Sequence, residues 1–320
     1  NLDLGLGAIA LLSTLVYACG ALIFAAHSFG REEVLFGNGR DAGEIGDGFS
    51  PLRLLRRKEV LRDHPPFGGT LVFIAVVAVA YFYGAVRLQV ALGEVGLLVS
   101  QLGFLLLPAL LYLRLGGFRP STTLSLRAPH GRGLLAALLI VVGAMPFVWF
   151  LTWVQRFVLP MPWEFMEGMS EFLTAGGPGR VAWLLFLVAL VPAVCEEAMF
   201  RGVLLGATRP RFKLVPTMVL NGLIFGAFHV PHATAFRFLP SAILGMLLAW
   251  VVLRTRSIWT GALMHFVNNG SIVLLTTSPW ILERFADQNQ PPPVWLLLPA
   301  LGILVVGGLI LERSQFRFQT

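Results

Sequence analysis

The sequence predicts an all-α polytopic membrane helix bundle of about nine transmembrane helices, on three observations. Hydrophobic residues make up 56% of the 320-residue chain and charged residues only 13%, and the mean hydropathy of +0.77 excludes an ordinary soluble domain. Apolar runs of about 20 residues recur, the length at which a helix crosses a ~30 Å hydrocarbon core. The basic residues gather in alternate loops, as the positive-inside rule requires of a protein that crosses the bilayer repeatedly.

The first apolar run, residues 4–26, lacks a basic leader and a small-residue cleavage site before a polar start. It therefore reads as a true span and not a signal peptide. It belongs to an N-terminal segment, 1–28; the start at Asn1 in place of Met reads as a cut from a longer polypeptide. Residues 29–68 form a cytoplasmic linker charged in both signs, punctuated by Gly and by Pro65-Pro66. Within it, residues 53–62 interleave Arg and Lys with Leu54, Leu55, Val60 and Leu61, the pattern of a surface helix. The third segment, 69–320, holds eight spans, at about 70–86, 92–113, 133–154, 181–206, 214–230, 239–253, 258–277 and 294–311. One alternate set of loops and tail carries eighteen Lys and Arg, the other five. That bias puts the start of the chain outside and its C-terminus in the cytoplasm. The loop 155–180 then lies outside, with Trp163 as an interfacial aromatic and Glu164, Glu167 and Glu171 at near-helical spacing.

The net charge of +7 is a topology signal, because no basic face or stripe is concentrated on one element; nucleic acid is a poor partner for it. Cys19 and Cys195 both sit in apolar runs, so neither a disulfide framework nor a metal-finger spacing is present. Cys195 reads as a small buried apolar residue.

Few ionisable side chains fall well inside the spans: Glu196, Glu197, Arg201, His229 and His265. Charges at that depth cost a few kcal/mol each and face the interior of a bundle. Glu197 and Arg201 stand at i, i+4 and form an ion pair on one helix face. Glu196 is rotated by roughly 100° and stays available. The plain alternative is an ion-pair network closing a helix end. His229 lies one turn beyond Phe225, and Asn269 one turn beyond His265. Either His alone reads as a buried imidazole bonded to a carbonyl; both together with the Glu pair, Arg201 and Asn269 read as a catalytic set. Asp3, Asp41, Asp47, Asp63 and Asp287 all lie in loops or at span ends, which argues against an aspartyl protease. No HExxH occurs.

Glu196-Glu197-x-x-x-Arg201, Phe225-x-x-x-His229 and His265-x-x-x-Asn269, in this order and with Pro192 and Gly202 beside the first, resemble the three motifs of the CAAX-protease and bacteriocin-processing (CPBP, or Abi) family of intramembrane proteases. The resemblance implies an endopeptidase acting on prenylated, CAAX-like or other membrane-associated peptides. Glu196 is then the general base, with its partner Glu197 held by Arg201. His229 orients the water or donates a proton, and His265 and Asn269 stabilise the oxyanion. It also leaves open a zinc set of Glu196, His229 and His265, or a metal-free reaction. Residues 1–28 and the Gly30-Arg31-Glu32-Glu33 that follows look like the end of an ABC-2 type permease, which implies transporter components as partners and a bacterial inner membrane as location. Counting ~1.5 Å per residue puts His229 at a different depth from Glu196 and His265. The rival reading is a non-catalytic transport component or scaffold whose Glu and His bind ions or ligand. Against it, no internal repeat and no paired broken helices are visible.

Overall fold

The structure is a computed structural model that describes residues 61–158, 168, 172, 177–230, 235–277 and 291–313. The chain divides into two compact units, Asn1–Arg56 and Arg57–Thr320, and the described residues all belong to the second. The expected first span, the linker up to residue 60, and Trp163, Glu164, Glu167 and Glu171 lie outside the described residues.

The fold is all-α, with no strand among the described residues; backbone pairing between segments is limited to isolated bridges such as Arg62 with Phe118 and Leu126 with Ser257. Six apolar helical stretches are long enough to cross a bilayer. The first, Phe67–Gly116, spans 50 residues but is broken at Gly93, whose φ of 55° and ψ of −121° suit a residue without Cβ. Its arms, α1 (67–92) and α2 (94–116), fold back on each other: Ser100 Oγ donates to the Ala85 carbonyl at 3.2 Å. The other long helices are α3 (Gly131–Gln155), α4 (Pro178–Thr208), α6 (Phe238–Thr255), α7 (Ile258–Thr277) and α8 (Val294–Arg313). Between α4 and α6 stands α5 (Leu214–Ala227), of only 14 residues. The eight expected core spans are thus present as helices. The reversal falls at Gly93-Glu94, a few residues later than expected, because Arg87 and Gln89 stay helical.

α4 is the axis. Its residues Val191, Cys195, Met199, Phe200, Val203 and Leu204 pack into one core with Ile74 and Val77 of α1, Leu105, Ala109 and Leu113 of α2, and Phe225 of α5. A second core joins α3, α6, α7 and α8 through Ala136, Ile140, Leu248, Met264 and Leu311. Small residues bring the helices close, as expected where lipid supplies no hydrophobic drive between them. A Cβ on Gly143 of α3 would stand 2.8 Å from the Ala300 carbonyl of α8, and one on Gly222 of α5 would stand 2.6 Å from the Ala242 carbonyl of α6.

The loops rich in Arg and Lys form one polar cap. Arg209 Nη1 donates to Ser125 Oγ at 2.7 Å, Ser257 Oγ donates to the Arg127 carbonyl at 2.7 Å, and Arg119 pairs with Asp63 at 3.2 Å. At the opposite end, Glu94 in the α1–α2 turn pairs with Arg180 at the start of α4 and accepts from Trp183 Nε1 at 2.6 Å. Gln155 at the end of α3 donates to the Phe236 carbonyl, just ahead of α6.

Candidate active site

The site begins with a local change in helix winding. α4 carries a π-helical stretch at Leu185–Leu190, returns to α-helix over Val191–Glu196, and over Glu197–Leu204 is again a π-helix with wider i→i+5 turns. Such stretches are frequent at functional sites, because they re-aim side chains without ending the helix. All eight residues of this stretch are buried. α2 also carries a π-helical stretch, Gln101–Leu106, facing α4.

Glu197 and Arg201 pair as expected, with Oε1 to Nη1 at 3.2 Å and both side chains at or below 1% exposure. The contact is close but off the hydrogen-bond direction: Arg201 Nη1 and Nε have no hydrogen-bond partner among the described residues. The guanidinium instead donates through Nη2 to the Gly245 carbonyl at 3.3 Å and lies over the Phe225 ring at 4.3 Å. Aromatic stacking is an effective way to hold a desolvated guanidinium.

His265 on α7 stands between the two carboxylates, with Nδ1 3.0 Å from Glu197 Oε1 and Nε2 3.7 Å from Glu196 Oε2. An ionised carboxylate only accepts, so Nδ1 carries the hydrogen and Nε2 of a neutral ring is an acceptor. The expected donation from His265 to an oxyanion therefore requires the doubly protonated ring. α7 also brings Gly261 against Glu197: a Cβ there would stand 2.7 Å from Oε2. Four residues beyond His265, Asn269 donates from Nδ2 to the Val188 carbonyl of α4 at 3.2 Å, and its Oδ1 accepts from Asn268 Nδ2 at 3.0 Å. That leaves one N–H of Asn269 for a further acceptor.

His229 is placed differently from expectation. α5 ends at Ala227, and His229 lies in the turn beyond it, its backbone N–H on the Gly226 carbonyl and its Nδ1 2.9 Å from the Phe225 carbonyl. Phe225 is the hub: its ring centroid lies 4.8 Å from that of His229, 5.8 Å from that of His265 and 5.1 Å from that of Phe200.

Gln101, which the sequence reading passed over, donates from Nε2 to Glu196 Oε1 at 3.0 Å with both side chains buried. It carries no charge, and its one signal in the sequence is to be a lone amide in the middle of the run 92–113. The three candidate zinc ligands, Glu196, His229 and His265, do not form a ligand set as placed: among the described residues, no three His, Cys, Asp or Glu side chains are grouped as a metal ion would need.

Comparison with known proteins bears on this same region. Residues 178–271, from the start of α4 into α7, match the family described as Type II CAAX prenyl endopeptidase Rce1-like. They include Glu196, Glu197, Arg201, His229, His265 and Asn269, so the similarity read from the three motifs holds at the level of the family. A curated relative, "Putative membrane peptidase YdiL" of Bacillus subtilis (strain 168), is 25% identical over 133 residues, 41% of this chain and 48% of the relative. The chain spans about half the length of that relative. No solved structure matches this chain. The comparisons do not show the permease-like piece at residues 1–28.

Proposed function

We propose that this protein is an intramembrane endopeptidase that hydrolyses membrane-associated peptides with a water activated by Glu196. The observation that carries the reading is the state of Glu196. It is a buried carboxylate in a membrane-spanning helix, held at Oε1 by Gln101, while Oε2 has no hydrogen-bond partner among the described residues and faces His265. Where Glu197 is paired with Arg201, Glu196 is bonded to a neutral amide, a setting well suited to a carboxylate that takes a proton from water.

In this mechanism a water oxygen bonds to the carbonyl carbon of the scissile amide as Glu196 Oε2 takes its proton. The free N–H of Asn269 donates to the developing oxyanion. His229, with Nδ1–H on the Phe225 carbonyl, is the candidate to orient the water or donate a proton. The C–N bond then breaks, and Glu196 returns the proton to the leaving amine. Glu197, paired with Arg201, holds His265 in the tautomer that carries its hydrogen on Nδ1. No step is routed through a metal, since the three candidate ligands do not come together.

The test is cleavage of a fluorogenic membrane-anchored peptide library, with prenylated and unprenylated arms, by the purified protein. Wild type should cleave and Glu196→Ala should lose about 10²- to 10⁴-fold. A strong zinc chelator added to wild type separates a zinc-dependent reaction from a metal-free one, and the prenylated arm separates CAAX-like from other peptides. Equal behaviour of wild type and Glu196→Ala on every substrate would remove the protease reading and favour the transport-component alternative.

A further inference from the structure

Among the described residues, Glu196 Oε2 and Gln101 Oε1 lack a hydrogen-bond donor, as does Oε2 of the neighbouring Glu197, and the Gln101 side chain is 3% exposed. A buried amide carbonyl without a donor is destabilising, so its persistence in an apolar run calls for a ligand. The orientation of the amide is fixed by chemistry: Glu196 as a carboxylate can only accept, so Gln101 must present Nε2 to it and turn Oε1 elsewhere. A single Gln–Glu hydrogen bond joins the two groups, and His265 stands on the Oε2 side of Glu196. A water suits such a pair of acceptors, since its two O–H bonds each donate and its lone pair is left to attack.

Resting on the protease reading above, we infer that Gln101 is a positioning residue for hydrolysis, binding Glu196 through Nε2 and receiving a hydrogen bond from the attacking water through Oε1. Gln101 exchanges no proton. It aims one O–H of the water at itself so that the other lies on Glu196 Oε2, which takes that proton as the oxygen bonds to the carbonyl carbon. The π-helical stretch Gln101–Leu106 is what turns the amide toward α4 at that level. A purely structural Gln would behave otherwise, since Leu at this position matches its volume and suits the surrounding core better.

That difference supplies the test. Gln101→Leu and Gln101→Asn are compared with wild type in full-length protein, reading kcat and KM on a cleaved peptide and thermal unfolding in detergent. Leu should lower kcat about 10- to 100-fold, the cost of losing one or two hydrogen bonds to charged or reacting groups, with KM and unfolding temperature preserved or the latter raised. Asn keeps the amide at shorter reach and should recover part of kcat. Wild-type kcat in Leu overturns the inference, as does a loss carried by KM or unfolding of both variants, which would mark a binding or packing role. A wild type that cleaves nothing fails earlier, at the protease reading itself, and takes this inference with it.

Discussion

Two Glu–Arg pairs involve α4, one joining it to the α1–α2 turn and one within it, and they are built from the same chemistry to opposite ends. Glu94 with Arg180, at the rim, has side chains 32% and 24% exposed, and both carboxylate oxygens are engaged, one by Arg180 and one by Trp183. Glu197 with Arg201, further along α4, is fully buried; among the described residues, Glu197 Oε2 and two guanidinium nitrogens lack hydrogen-bond partners. Burial multiplies both the attraction and the desolvation cost, and a desolvated pair with open valences is a poor way to add stability. The rim pair fastens the α1–α2 turn to the entry of α4. The buried pair is kept where its charge orients His265 and stacks on Phe225, which is a reason of mechanism.

The largest expected effect breaks the buried pair from one side. Arg201→Ala leaves Glu197 as an uncompensated buried charge and should cost about 3–5 kcal/mol, read by chemical unfolding in detergent. Replacing both partners, as in Glu197→Leu with Arg201→Met, should regain most of that stability without regaining turnover; regained turnover would mean the pair has no catalytic role. Next, Asn269→Ala should lower kcat about 10²- to 10³-fold if its free N–H meets an oxyanion, with folding intact; an unchanged rate would end that assignment. Gly261→Ala sharpens the contrast without touching a charge. Its Cβ would press on Glu197 Oε2 and Val252 Cγ2, both at 2.7 Å, and overpacking of that kind costs about 1–3 kcal/mol; both unfolding and cleavage should register it. Smallest, Glu94→Gln at the rim should change stability by less than about 1 kcal/mol and leave cleavage at the wild-type rate. A large loss there would show that the two pairs are coupled through α4.

What the sequence made legible follows from strong, additive signals. Eight apolar runs and their basic loops have no soluble alternative, so α1 to α8 could be placed from hydropathy, and the Glu197–Arg201 pair followed from helical spacing. Less was legible where a single backbone angle or a neutral side chain decides. The turn at Gly93 depends on a positive φ that the Gly alone permits but does not announce. The early end of α5 puts His229 in a turn, although the apolar pattern continues to Val230. Gln101 carries no charge and stands on a helix distant in sequence from the motifs; its bond to Glu196 exists only because α2 packs on α4. Phe225 stands in the sequence as the motif residue one turn before His229; in the fold it is the ring around which Arg201, His229 and His265 are arranged.

The 14 residues of α5 span only ~21 Å at 1.5 Å per residue, well short of a ~30 Å hydrocarbon layer. Lipid beside a short helix must thin, or the neighbouring polar groups must sit below the ordinary membrane surface. His229 and the N-terminal end of α6 stand at that shortfall. A hydrolase in a bilayer has to obtain a reactant that oil excludes, and a truncated helix next to the candidate base shortens the distance that reactant must travel. The same dip gives the membrane a say in the chemistry: the thickness of the surrounding lipid becomes a variable of the reaction.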